Sequence, residues 1–93
     1  MTLPALENRI RVTTLGDLLL RAADEHPDSD AIVFPERRQS YAELAERAYQ
    51  RARGLQALGV RPGDHVGLLL PTCIEFPEFF FGIALCGAVA VPI

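Results

Sequence analysis

Two cysteines, two histidines and a run of phenylalanines are the side chains in this 93-residue chain whose types invite a chemical reading. Cys73 follows Leu70-Pro71-Thr72 and is expected in the first turn of a helix, where the dipole would favour the thiolate nucleophile. A small, half-buried packing residue explains it more simply. Cys86, between Leu85 and Gly87, reads as core. The two thiols stand thirteen positions apart, roughly 20 Å along one helix at the helical rise per residue, too far to bridge. With no CxxC and no histidine pair at ligand spacing, neither a disulfide framework nor a zinc site is expected. Asp64 precedes His65 and could orient it as a base, but no serine or cysteine is spaced to use it. His26 precedes Pro27 at a helix end, where a positive charge suits the dipole. None of these groups forms a catalytic, cofactor-binding or metal-binding set.

Two other features resemble ligand sites only in part. The loop Gly59-Val60-Arg61-Pro62-Gly63-Asp64 is rich in glycine, yet it enters a strand, whereas phosphate loops open a helix and aim its N–H groups at the anion. The strand-to-helix turn is Leu70-Pro71-Thr72-Cys73, which has no glycine. Phe76, Phe79, Phe80 and Phe81 could line an acyl pocket, although Phe76 with Phe79 or Phe80 also describes the core face of a helix. All nine basic residues are arginine, so no Schiff-base or phosphate-binding lysine comes from these residues.

The elements that must position these groups follow from apolar spacing and punctuation. Residues 1–13 read as an irregular lead-in. Leu15, Leu18, Leu19, Ala22 and Ala23 give a helix buried on one face, opened weakly by Thr14 with Asp17 and ended at His26-Pro27. Ala31–Phe34 is a short strand closed by the turn Pro35-Glu36-Arg37-Arg38. Ser40 and Glu43 form a capping box for a helix to about Leu58. Its buried stripe is Leu44, Ala45, Ala48, Ala52, Leu55 and Leu58, and Glu43, Glu46, Arg47, Gln50, Arg51 and Arg53 are solvated. Gly59 caps it, and Pro62-Gly63 turns the chain. His65–Leu70 suits a parallel strand covered on both faces. Thr72 and Glu75 spell a second capping box, Pro77 is tolerable in the first turn, Gly87 ends that helix, and Ala88–Ile93 is another buried strand. The alternation of helix and strand means βαβ units and a parallel sheet, hence the α/β class.

Composition narrows the partners. An apolar fraction of 49% excludes disorder, and a net charge of −3 argues against nucleic acid or an anionic membrane surface. The uncharged stretch Phe79–Ile93 is fifteen residues long, short of the roughly 20 that span a bilayer. The N-terminus lacks the basic and apolar regions of a signal peptide, and with two free thiols this points to the cytoplasm. The strand Ala88–Ile93 presents Val89, Val91 and Ile93 on an unprotected edge, a route to self-association.

From Thr14 onward the chain resembles the N-terminal end of the adenylate-forming ligases, which include acyl-CoA synthetases, luciferases and peptide-synthetase adenylation domains. Ser40-Tyr41-Ala42-Glu43-Leu44 resembles the first core motif, with Gln39 where leucine is usual. Leu85-Cys86-Gly87-Ala88-Val89-Ala90-Val91-Pro92-Ile93 resembles the second, with Cys86 in place of alanine. Ala57–Val66 and Leu70–Phe76 fall between them at the family's spacing. The resemblance implies that residues 14–93 open a large adenylate-forming domain, as the βαβαβ start of its parallel sheet. It implies ATP, Mg²⁺, a carboxylic acid and coenzyme A for the intact protein, with the phosphate loop and catalytic lysine beyond residue 93 and the segment itself inert. Glu75-Phe76-Pro77-Glu78 resembles acyl-CoA synthetases, favouring a fatty or aromatic acid. The alternatives are amino-acid adenylation, or a stand-alone interaction module pairing through the last strand.

Overall fold

The computed structural model describes residues 15–93. The lead-in and Thr14 of the first capping pair lie outside the described residues. Seven elements follow: α1 (Leu15–Glu25), β1 (Asp30–Val33), β2 (Arg38–Ser40), α2 (Tyr41–Ala57), β3 (His65–Leu68), α3 (Glu75–Leu85) and β4 (Val89–Pro92).

The ends of α2 and α3 show how local sequence sets the frame. At the start of α2, the Ser40 hydroxyl accepts the Glu43 N–H at 3.2 Å and the Glu43 carboxylate accepts the Ser40 N–H at 3.0 Å. The capping box expected from Ser40 and Glu43 is therefore present. Both helices end in the same reciprocal pattern. Gly59 N–H reaches Gln56 O and Val60 N–H reaches Leu55 O, and Gly87 and Ala88 repeat this onto Ala84 and Ile83. These are Schellman turns, which need a left-handed residue just past the cap. Gly59 has φ 101° and Gly87 φ 74°, a region that glycine enters without steric cost.

The Ser40 backbone N–H, followed by the Ser40 hydroxyl, holds the Glu43 carboxyl below its ordinary value. A carboxyl depressed on folding contributes stability that is complete above its unfolded value, about 4.3, and is lost as pH falls through the folded value. Ser40→Ala removes the hydroxyl that caps α2 and should lower stability by about 1 kcal/mol near neutral pH. Because the backbone N–H at position 40 remains, it should flatten the loss on acidification only in part, which pH-dependent denaturant titration of both proteins checks.

The core lies where α1 and α3 meet α2. Leu19, Leu44, Ala45 and Ala48 form its centre, with Leu85 and Phe81 packed against them. Ala52, Ile83 and Cys86 are buried alongside. Alanine at 45, 48 and 52 keeps the α2 surface low, and α3 answers with Gly82. A Cβ on Gly82 would stand 2.8 Å from Arg51 Cβ and 3.1 Å from the Ala48 carbonyl oxygen.

β3 and β4 pair in parallel from His65↔Val89 to Leu68↔Pro92, with α3 as the crossover between them. This is the βαβ unit that the alternation implied. The first strand pairs differently: β1 runs antiparallel to β2, with Val33 opposite Arg38, in a separate two-stranded sheet. Pro35, fixed near the φ of the second position of a β-turn, closes this hairpin, and Phe34 N–H donates to Arg37 O at 2.8 Å. Arg38-Gln39-Ser40 carries no β-branched or aromatic residue, so the strand it forms is invisible to composition.

Several other expectations are corrected. Leu15 and Leu18 are about half exposed, and Leu58 is 85% exposed at the cap of α2, where the chain already turns away. Leu55 is only half-buried. β3 stops at Leu68 and buries only that residue, while Leu69 is 75% exposed. Among the described residues β3 is thus not covered on both faces. β4 is not the buried strand expected over Ala88–Ile93, since Val89 and Val91 are exposed. The second capping box does not form: α3 starts at Glu75, its N-cap is Ile74 and no side chain caps it. Glu75 is then the first helical residue instead of the third, too late to reach back to Thr72. Pro77 does fall within that first turn.

Candidate functional site

The most fully built polar arrangement is a clasp across α2 and α3. Glu78, in an otherwise apolar stretch of α3, is only 4% exposed. Its Oε1 accepts from Arg51 Nη2 at 3.0 Å and Nε at 3.3 Å, and its Oε2 accepts from Gln39 Nε2 at 3.0 Å. The Arg51 guanidinium also lies over the Phe79 ring, 4.6 Å from its centroid. Arg51 is therefore half-buried and paired, where helical spacing placed it among solvated residues. Gln39, the one buried residue of β2, ties the hairpin to the clasp. Its Oε1 is buried with no hydrogen-bond partner. An ionised carboxylate only accepts, so the amide must turn its NH₂ toward Glu78 and leave the oxygen unmatched.

Sequence reasoning did not single out this clasp. The available signals were an acid inside the apolar run Glu75–Leu85, four positions before Gly82, and Gln39 where leucine is usual. Its buried carboxylate holds three elements together and is closed to substrate.

The residues weighed for chemistry are scattered. Cys73 is half-buried and precedes α3, not in its first turn as expected. The Glu75 carboxyl is held below its ordinary value, first by its own backbone N–H, then by the Cys73 thiol, with smaller help from Arg37 and Arg51. Cys86 is buried, and its thiol lies 3.4 Å from Ala52 O. Burial raises its pKa, keeping it a neutral thiol. A disulfide-exchange reagent should titrate Cys73 in the folded chain and Cys86 only after denaturation. Two equivalents released at once in the native state would contradict this placement.

Asp64 Oδ2 accepts the Arg61 N–H at 2.8 Å, so it closes its own turn instead of orienting His65. The loop around it splices the parallel pair: Gly63 N–H donates to Gly87 O at 2.9 Å and Val89 N–H to Asp64 O at 2.7 Å. His65 and His26 are exposed. The four phenylalanines are divided among different contacts. Phe76 stacks on Phe80 at 6.3 Å, Phe80 meets Phe81 edge-on at 5.5 Å, Phe81 packs on the core and Phe79 lies under Arg51. An open apolar cleft of about 490 Å³ lies between Ala31–Phe34 of the hairpin and Leu70, Cys73 and Phe76.

A nucleotide phosphate does not fit these helix starts. Glu75 is the first residue of α3, and Glu43 occupies the start of α2. Each places a carboxylate where an anion would need bare N–H groups. Among the described residues no group of three or more His, Cys, Asp or Glu could hold a metal ion. No helix there is long and apolar enough to cross a membrane.

The parallel β3–α3–β4 unit and the β1–β2 hairpin belong to a fold shared with the solved N-terminal subdomain of Klebsiella oxytoca NpsA, at a TM-score of 0.82 and 30% identity over 86% of this chain and 21% of that one. The family described as AMP-binding enzyme matches residues 19–93, and the chain belongs to that family. It is similar to pyochelin synthetase PchE of Pseudomonas aeruginosa, 46% identical over 77 residues, covering 83% of this chain and 5% of that protein. With long-chain-fatty-acid–CoA ligase FadD13 of Mycobacterium tuberculosis it shares 42% identity over 81 residues, 85% of this chain and 16% of the other. The solved Mycobacterium tuberculosis fatty acyl CoA synthetase superposes with a TM-score of 0.83 at 40% identity, over 89% of this chain and 17% of that one. The chain thus spans from 5% to 21% of the length of these relatives.

Proposed function

We propose that this chain is the opening scaffold of an ATP-dependent acid–thiol ligase. In the reaction, a carboxylate attacks the α-phosphate of ATP with Mg²⁺ assistance, giving an acyl-adenylate and pyrophosphate. The thiol of coenzyme A then displaces AMP. We assign a fatty or aromatic acid as substrate, the cytoplasm as location, and residues 14–93 as the start of the large adenylate-forming domain. The superposition on a fatty acyl CoA synthetase over most of the chain carries this reading. The work of these residues is positional: the clasp and Gly82 lock α3 onto α2, and the two Schellman turns aim β3 and β4 as neighbouring parallel strands. We place the catalytic groups beyond residue 93.

Amino-acid adenylation is the competing reading, favoured by the likeness to pyochelin synthetase. The test is pyrophosphate release by the longer polypeptide with fatty, aromatic and amino acids, followed by mass analysis of the thioester. Fatty or aromatic acyl-CoA is the expected product. Amino-acid-dependent release with loading of a carrier-protein thiol would overturn the acyl-CoA reading. Exposure of Val89, Val91 and Ile93 supports self-association of the chain through β4 when it stands alone; light scattering showing only monomer at high concentration would refute that.

A further inference from the structure

We draw no further inference here: the strongest candidate, the apolar groove between α1 and β4 running from Leu18 past Leu15 to Val89 and Ala90, is an unpartnered face, and nothing in the structure shows what covers it.

Discussion

Replacing Arg51 by alanine should lower the stability of the chain by about 2–3 kcal/mol, measured by guanidinium unfolding at neutral pH. The variant leaves the Glu78 carboxylate buried with Gln39 as its one remaining side-chain donor among the described residues. Breaking a fully buried pair costs about 3–5 kcal/mol, because an uncompensated charge remains in a poor solvent. The Arg51 side chain is 36% exposed, so water replaces part of the lost interaction and the cost falls below that range. Glu78→Gln keeps the shape and removes the charge. In that background, Arg51→Ala should cost about 1 kcal/mol or less, since no buried carboxylate is left unpaired. Equal losses in both backgrounds would show that Arg51 acts through its guanidinium over Phe79 and not through Glu78.

Gly82→Ala is the second large effect, expected at about 1–3 kcal/mol of destabilisation. The three nearest atoms to the added carbon would be Arg51 Cβ, the Ala48 carbonyl oxygen and the Ala52 nitrogen, at 2.8, 3.1 and 3.3 Å. Two of these are backbone atoms and the third is bonded to backbone, so the helices must separate to admit the methyl. Separation also lengthens the Arg51–Glu78 contact on the same face, which couples the two predictions. Gly54→Ala is the control. It lies in α2 with nothing within 4 Å of the new carbon, so removing a helical glycine there should stabilise by about 0.5–1 kcal/mol. If Gly82→Ala were stabilising too, the close approach of α2 and α3 would be wrong.

Features written by local rules were legible in the sequence, and those set by a distant partner were not. Ser40 with Glu43, Gly59 and Gly87 each announce a helix end, because the hydrogen bonds concerned close within six residues. The alternation from Ser40 to Pro92 likewise gave the parallel pairing of β3 and β4. The Thr72–Glu75 spacing satisfied the same local rule and failed, because α3 begins only at Glu75. β2 went unseen because Arg38-Gln39-Ser40 is polar on every position, and its pairing with β1 comes from the Pro35 turn. Helical spacing put Arg51 on the solvated side of α2, yet its long side chain reaches Glu78, twenty-seven positions away. Leu15, Leu18 and Leu69 have the character of core residues and are exposed among the described residues, so their pattern specifies a buried face without supplying its cover. The clasp, which joins Gln39, Arg51 and Glu78, needed the fold.

We propose that these residues are scaffold and carry none of the adenylating machinery. ATP–pyrophosphate exchange by the purified chain, with fatty, aromatic and amino acids in turn, tests it most directly. Exchange at the rate of the protein-free control is expected with every acid. Acid-dependent exchange above that rate, lost on denaturing the chain, would contradict it and place an active site within these residues.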